Sequence, residues 1–190
     1  MPAVRHDIRG SVPWPASLYL DASVLMGAYK VGMGGGDSRE KAAAAFLAGI
    51  PGHCEAWTSL LAIEETCWAA LKRPLRDAAN KRHLSIPDLK RRHPPDYTQA
   101  YAIGRGRTAP LMAFLKGLSI SLREPSAPAS RQEQARRAAC FLVRQMMNTY
   151  ELEMADLFHI AFAKLDGTNA IATLDKGYLD VDGLEVFTVP

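Results

Sequence analysis

Two periods run through the hydrophobic pattern. Ser17-Leu18-Tyr19-Leu20 is a short apolar run that stops at Asp21, which predicts a buried strand. Glu55 to Thr58, Leu118 to Leu122, Ala170 to Leu174 and Leu184 to Val189 give four further strands. Between them lie stretches of helical period. Ser23 to Tyr29 starts a helix with Ser23 near its N-cap, and the irregular glycines Gly32, Gly34, Gly35 and Gly36 break it into a loop. Asp37 or Ser38 caps a helix over Arg39 to Ile50, which Pro51-Gly52 stops. Ser59 to Leu71 places Leu60, Ile63, Cys67 and Leu71 on one face, and Pro74 is expected to end it. Thr108 to Gly117 reads as helical, with Pro110 early in it. After a loop marked by Pro125 and Pro128, Ser130 and Glu133 form a capping box for a helix over Arg131 to Tyr150, followed by one over Glu153 to Leu165. Residues up to Pro15 read as a loose arm.

Strands alternating with helices predict an α/β layered fold with a mainly parallel sheet. In such sheets, sites form beyond the carboxyl ends of the strands. The chain reads as one domain over residues 1–190, interrupted by an irregular, proline-bearing insertion over about 74–117 with short helices.

Charge sharpens the view of that insertion. The net charge is only +3, but Lys72 to Arg107 carries ten basic residues against three acidic ones. The asymmetry suits a polyanionic partner, or else a solvated surface. Hydrophobic residues make up 48% of the chain and charged residues 23%, an ordinary globular balance. Cys54, Cys67 and Cys140 are odd in number and unevenly spaced, so they predict packed thiols rather than a disulfide framework or a zinc ribbon. No apolar run approaches the ~18 residues of a membrane span, and the proline-rich first residues lack the apolar core of a signal peptide. A cytoplasmic, membrane-free protein is the expectation.

Acidic residues carry the candidate chemistry. Asp21 and Asp175 each close an apolar strand, where a charged group is rarely needed for packing, although either could cap a following helix. Asp156 sits on Met154 to Ala161 with apolar residues on nearly every side, and an acid on such a face needs a cation or a positive side chain. On the helix after Ser59, either Glu64 or Glu65 points inward, and periodicity does not choose between them. Clustered carboxylates suit a hard divalent cation that activates water and stabilises charge on a phosphodiester. His-Glu-x-x-His, G-x-S-x-G and P-loop patterns are all missing. Ser23, two residues past Asp21, argues against a phosphatase of the haloacid-dehalogenase type, which needs a second Asp there. A receiver-like phosphorylation switch wants neighbouring acids at the first strand end, and none is found.

The runs Leu18-Tyr19-Leu20-Asp21-Ala22-Ser23, Asp156-Leu157-Phe158-His159-Ile160-Ala161 and Ala172-Thr173-Leu174-Asp175-Lys176-Gly177-Tyr178 resemble the PIN-domain nucleases. Ser59 stands six residues before Glu65, the family's spacing, which favours Glu65 over Glu64. The resemblance implies a three-layer α/β/α sandwich carrying the basic insertion. It also implies that Asp21, Glu65, Asp156 and Asp175 bind Mg²⁺ or Mn²⁺ and cleave RNA, with Ser23 and Thr173 positioning ligands or substrate. A match to the VapC-like toxins of toxin–antitoxin pairs implies an antitoxin partner and a homodimer. Lys72, Arg73 and Arg76, just after the Glu-bearing helix, either neutralise RNA phosphates or complement that helix's C-terminus. His159 is expected to be a packed, hydrogen-bonded histidine rather than a ligand. Trp57 and Trp68 are expected in the core, and Asp180 and Asp182 in a turn. The competing account is a non-catalytic nucleic-acid-binding module using the basic insertion.

Overall fold

The computed structural model describes residues 1–123 and 129–190. The predicted loop at Pro125 and Pro128 lies outside these residues, and the Ser130–Glu133 capping box outside the described side chains. The chain divides into two compact units: Met1–Ile63 with Ser119–Pro190, and Glu64–Leu118.

The first unit is built on a six-stranded, all-parallel sheet. In chain order its strands are β1 (Val4–Asp7), β2 (Ser17–Leu20), β3 (Glu55–Thr58), β4 (Ser121–Leu122), β5 (Ala170–Ala172) and β6 (Glu185–Thr188). Their order across the sheet is β1-β6-β5-β2-β3-β4. From β2 the chain winds outward to β3 and β4, then returns to β5 on the other side of β2. The carboxyl ends of β2 and β5 therefore form the topological switch point where such sheets place ligands.

The register aligns Trp57, Tyr19, Ile171 and Val186 in one row across four strands. Successive residues of a strand face opposite sides, so these four share a face. There they are buried with Val143 of α6 (Ala129–Met147) and Leu157 and Ile160 of α7 (Met154–Leu165). The opposite face, reached by Phe187, is covered by Phe46 of α2 (Ser38–Gly49), with the ring centroids 6.1 Å apart. α2 packs with α1 (Ala22–Gly32). Helices thus flank both faces of the sheet, as the alternation predicts.

The arm before Pro15 is not loose. Val4–Asp7 pairs in parallel with β6 as the sheet's edge strand. Four mostly polar residues carry no strand signal of their own, and it is β6 that recruits them. Two N-caps resolve as well. Asp21 rather than Ser23 caps α1, and Asp37 caps α2 in a capping box with Glu40. In the glycine loop, Gly36 has φ +93°, and a Cβ there would stand 2.7 Å from Val31 Cγ2.

The second unit is helical. α3 (Leu60–Lys81) begins at the end of the first unit and passes straight through Pro74. Pro74 removes one backbone bond, but Ala70, Leu75 and Ala79 around it are buried, and this packing carries the helix on. The expected face of Leu60, Ile63, Cys67 and Leu71 is not the most buried one. Leu60 is exposed, and the small stripe Ala62, Thr66 and Ala70 is buried instead. Trp68 is 52% exposed, against the expectation of a core residue, whereas Trp57 is 1% exposed.

α4 (Ile86–Arg92) is capped by Ser85, and the prolines of α5 (Pro94–Gly117) open its first turn, where no backbone donor is needed. α5 is one helix of 24 residues, not short pieces. Pro110 lies inside it, and Gly106, whose carbonyl loses its helical donor, is exposed to water. No described helix is long and apolar enough to cross a membrane.

Candidate metal centre

Asp21 is the first residue beyond β2 and the N-cap of α1, so its carboxylate is placed by two elements at once. It is 5% exposed. Its Oδ2 accepts from Ser23 Oγ at 2.5 Å, Thr173 Oγ1 at 2.9 Å and the Ser23 amide at 3.3 Å. The capping reading and the cluster reading of Asp21 are therefore both realised in one side chain.

Thr173 follows β5 and is fully buried. Besides donating to Asp21, its hydroxyl accepts from the Asp175 amide at 3.0 Å. Ser23 Oγ accepts from the Leu174 amide at 2.9 Å. These bonds tie the loop after β5 to the start of α1. Asp175 is exposed, and its Oδ1 accepts from the Gly177 amide at 2.9 Å. Arg39 of α2 donates to the Leu174 carbonyl and braces the same loop.

Asp156 lies in the first turn of α7, where a helix N-terminus favours a negative charge. It is half-buried, and Tyr178 Oη donates to its Oδ1 at 3.1 Å. Its carboxyl is nevertheless pushed up from 3.8 to about 6. Burial is the main cause, and the negative charges of Asp21 and Asp175 add to it, offset in part by the Tyr178 bond and His159. Burial and the same carboxylates, first Asp21 and then Asp156, hold the Tyr178 hydroxyl far above its ordinary value, so it stays a donor. Asp156 is thus a carboxylate at the sheet's switch point that the charges of Asp21 and Asp175 both repel. All-oxygen donors with such repulsion fit a hard divalent cation, which would relieve it.

His159, one turn along α7 from Asp156, is fully buried. Its Nδ1 is 2.6 Å from Tyr19 Oη, in keeping with the expected hydrogen-bonded histidine, and its Nε2 is 3.6 Å from Asp21 Oδ1. Tyr19 Oη is also 2.7 Å from Ser59 Oγ, which accepts from the Ala62 amide at 3.2 Å. In the sequence, Ser59 enters only as a helix start and through its spacing to Glu65, and Tyr19 and Tyr178 only within the family-like runs; none is given a role of its own. A tyrosine hydroxyl inside an apolar strand must find a polar partner, and that rule was a usable signal for Tyr19.

The structure thus joins Asp21, Ser23 and Thr173 by direct bonds and sets Asp21 and Asp175 within electrostatic reach of Asp156. Glu65, Lys72, Arg73 and Arg76 belong to the second unit. On α3, Glu64 is exposed and Glu65 half-buried. Lys72 Nζ stands 4.8 Å above the Trp68 ring. Because α3 continues to Lys81, the three basic residues lie in mid-helix and do not complement its C-terminus. Asp180 ends a 3-10 turn, Gly177–Asp180, and Asp182 follows it, as expected.

No family model matches the chain, and neither does any curated protein sequence. Among solved structures, VapBC2 from Rickettsia felis bound to a DNA fragment from their promoter is similar. Its TM-score is 0.51 at 9% identity, covering 90% of this chain and 96% of that one. FitAcB from Neisseria gonorrhoeae overlaps with a TM-score of 0.41 at 18% identity, again over 90% and 96%. The strand order, the helices on both faces and the first of these likenesses agree with what the runs at Asp21, Asp156 and Asp175 imply: the chain has a PIN-like fold.

Proposed function

We propose that this chain is a metal-dependent endoribonuclease, with Asp21, Asp156 and Asp175 holding Mg²⁺ or Mn²⁺. Glu65, six residues down α3 from Ser59, is the proposed fourth carboxylate. The observation that carries the reading is the convergence of three carboxylates from β2, β5 and α7 at the switch point, with Asp156 driven to about 6 partly by its acidic neighbours. When bound, a divalent cation activates water and stabilises charge on the scissile phosphodiester. The chain's own part is positioning. Ser23 and Thr173 fix the Asp21 carboxylate. Tyr178 holds Asp156 as a hydrogen-bond acceptor. Lys72, Arg73 and Arg76 supply cations for the substrate's phosphates.

The resemblance to VapC-like toxins, and the fold shared with VapBC2, support a further reading as the toxin of a toxin–antitoxin pair. On that reading the chain works in the cytoplasm as a homodimer, restrained by an antitoxin. The test is cleavage of a labelled RNA with Mg²⁺ or Mn²⁺. Cleavage that stops with EDTA and with Asp156→Asn supports the proposal. RNA binding unchanged by EDTA, without cleavage, overturns it in favour of the nucleic-acid-binding module.

A further inference from the structure

We infer that His159 is a nitrogen ligand of the proposed metal centre, tilting it from Mg²⁺ toward a first-row transition ion such as Mn²⁺; the inference rests on the nuclease reading above. Three observations carry it. His159 is fully buried on α7, the helix that bears Asp156. Its Nε2 stands 3.6 Å from Asp21 Oδ1. With metal–ligand bonds of about 2.1 Å, two donors of one ion are separated by roughly 3 Å when adjacent and about 4 Å when opposite. The observed spacing falls inside that span, and it is too long for a hydrogen bond.

The third observation is the buried chain behind the ring. Ser59 Oγ accepts from the Ala62 amide and lies 2.7 Å from Tyr19 Oη, which lies 2.6 Å from His159 Nδ1. A serine oxygen can accept twice. In the proton order we assign, Tyr19 donates to Ser59 and His159 Nδ1–H donates to Tyr19. The lone pair of Nε2 then faces Asp21. A ligating histidine commonly has its other nitrogen anchored in this way, which fixes the tautomer and the direction of the ring. Mg²⁺ strongly prefers oxygens and water, whereas imidazole suits first-row transition ions.

The experiment uses the full chain labelled with ¹⁵N-histidine, loaded with Mn²⁺ and read by electron spin echo modulation. We expect a histidine nitrogen coupled to the bound ion. His159→Gln is expected to remove the coupling and to weaken Mn²⁺ binding at least tenfold while changing Mg²⁺ binding less than threefold. Tyr19→Phe is expected to keep the coupling and weaken Mn²⁺ by about tenfold, the usual scale for a group behind a ligand. If Gln at this position prevents folding, a protein that keeps His159 as its only histidine carries the test. Bound Mn²⁺ with no nitrogen coupling overturns the inference and leaves the nuclease reading intact. No binding of Mn²⁺ overturns the inference, and no binding of either Mn²⁺ or Mg²⁺ overturns both.

Discussion

The two units hold their polar groups in opposite ways. In the sheet unit, Asp21, Thr173 and His159 are buried, and each is tied to named partners across long sequence distances. In the helical unit, Arg73, Arg76, Arg91, Arg92 and Arg105 are exposed, and the ion pairs Arg82–Asp96 and Arg91–Asp88 link residues only 14 and 3 positions apart. A buried polar group must be satisfied or it costs stability, so its geometry is over-determined. An exposed charge is screened and hydrated, so its position is loosely specified. Geometry therefore speaks for chemistry in the first unit, while in the second only the sign of the charge does.

The sharpest test of that contrast is Asp21→Asn, which keeps the shape of the buried hub and removes its charge. RNA cleavage should fall by about 10²–10³-fold, the scale of losing one preorganised electrostatic group, with the circular dichroism spectrum unchanged. An activity within threefold of the parent would remove Asp21 from the chemistry.

The helical unit should break by packing rather than by charge. At Gly104 an added Cβ would meet the Leu71 carbonyl oxygen at 2.6 Å, so α3 and α5 could not keep their approach. Gly104→Ala should destabilise by about 3 kcal/mol, seen in hydrogen exchange as lost protection over Glu64–Leu118. A smaller cost is expected in the sheet unit from Thr173→Val, which deprives Asp21 of a donor and the Asp175 amide of an acceptor. Chemical denaturation should register about 1–3 kcal/mol.

Proton linkage comes next. The folded-state value of Asp156 is raised from 3.8 to about 6, so the native state holds the proton more tightly than the unfolded chain between those values. Stability of the metal-free protein should therefore fall as pH rises from about 4 to 6, and Asp156→Asn should flatten that slope. Mn²⁺ affinity should weaken by up to about tenfold per pH unit below 6, because proton and metal compete for one carboxylate. Calorimetry at pH 5 and 7.5 measures this, and equal affinities would sink it. The smallest effect on stability belongs to the double variant Arg73→Ala and Arg76→Ala, expected within about 0.5 kcal/mol of the parent. Its RNA affinity should nonetheless drop, with a salt dependence shallower by about two phosphate contacts.

Much of the sheet unit was legible in the sequence because its strands are near-continuous apolar runs and its acids interrupt them. The acids Asp21 and Asp175 after two apolar strands, the α7 acid and the parallel order all follow from that pattern. The edge strand Val4–Asp7 was not legible, because its pairing comes from β6 and not from its own residues. Pro74 and Pro110 misled for a related reason. A proline signals what its local backbone loses and says nothing of the packing that carries the helix through. The choice between cap and cluster at Asp21 had no answer in one dimension, since the side chain caps α1 and also acts on Asp156. The Ser59–Tyr19–His159 chain was hidden because its members lie 40 and 140 residues apart.

The bond from Thr173 to Asp21 spans 152 positions of the chain. Local helices and the β2–β3 pair can form while the polypeptide is still emerging, but β5 cannot take its place beside β2 until the chain has been made to Ala172. Closing so long a loop is slow, and it is a late event in folding. Every nascent fragment that stops short of residue 175 lacks at least one of the three carboxylates. Biosynthesis thus imposes its own order of events: the acidic cluster comes into being only after β1 to β4 and the helices between them have been made.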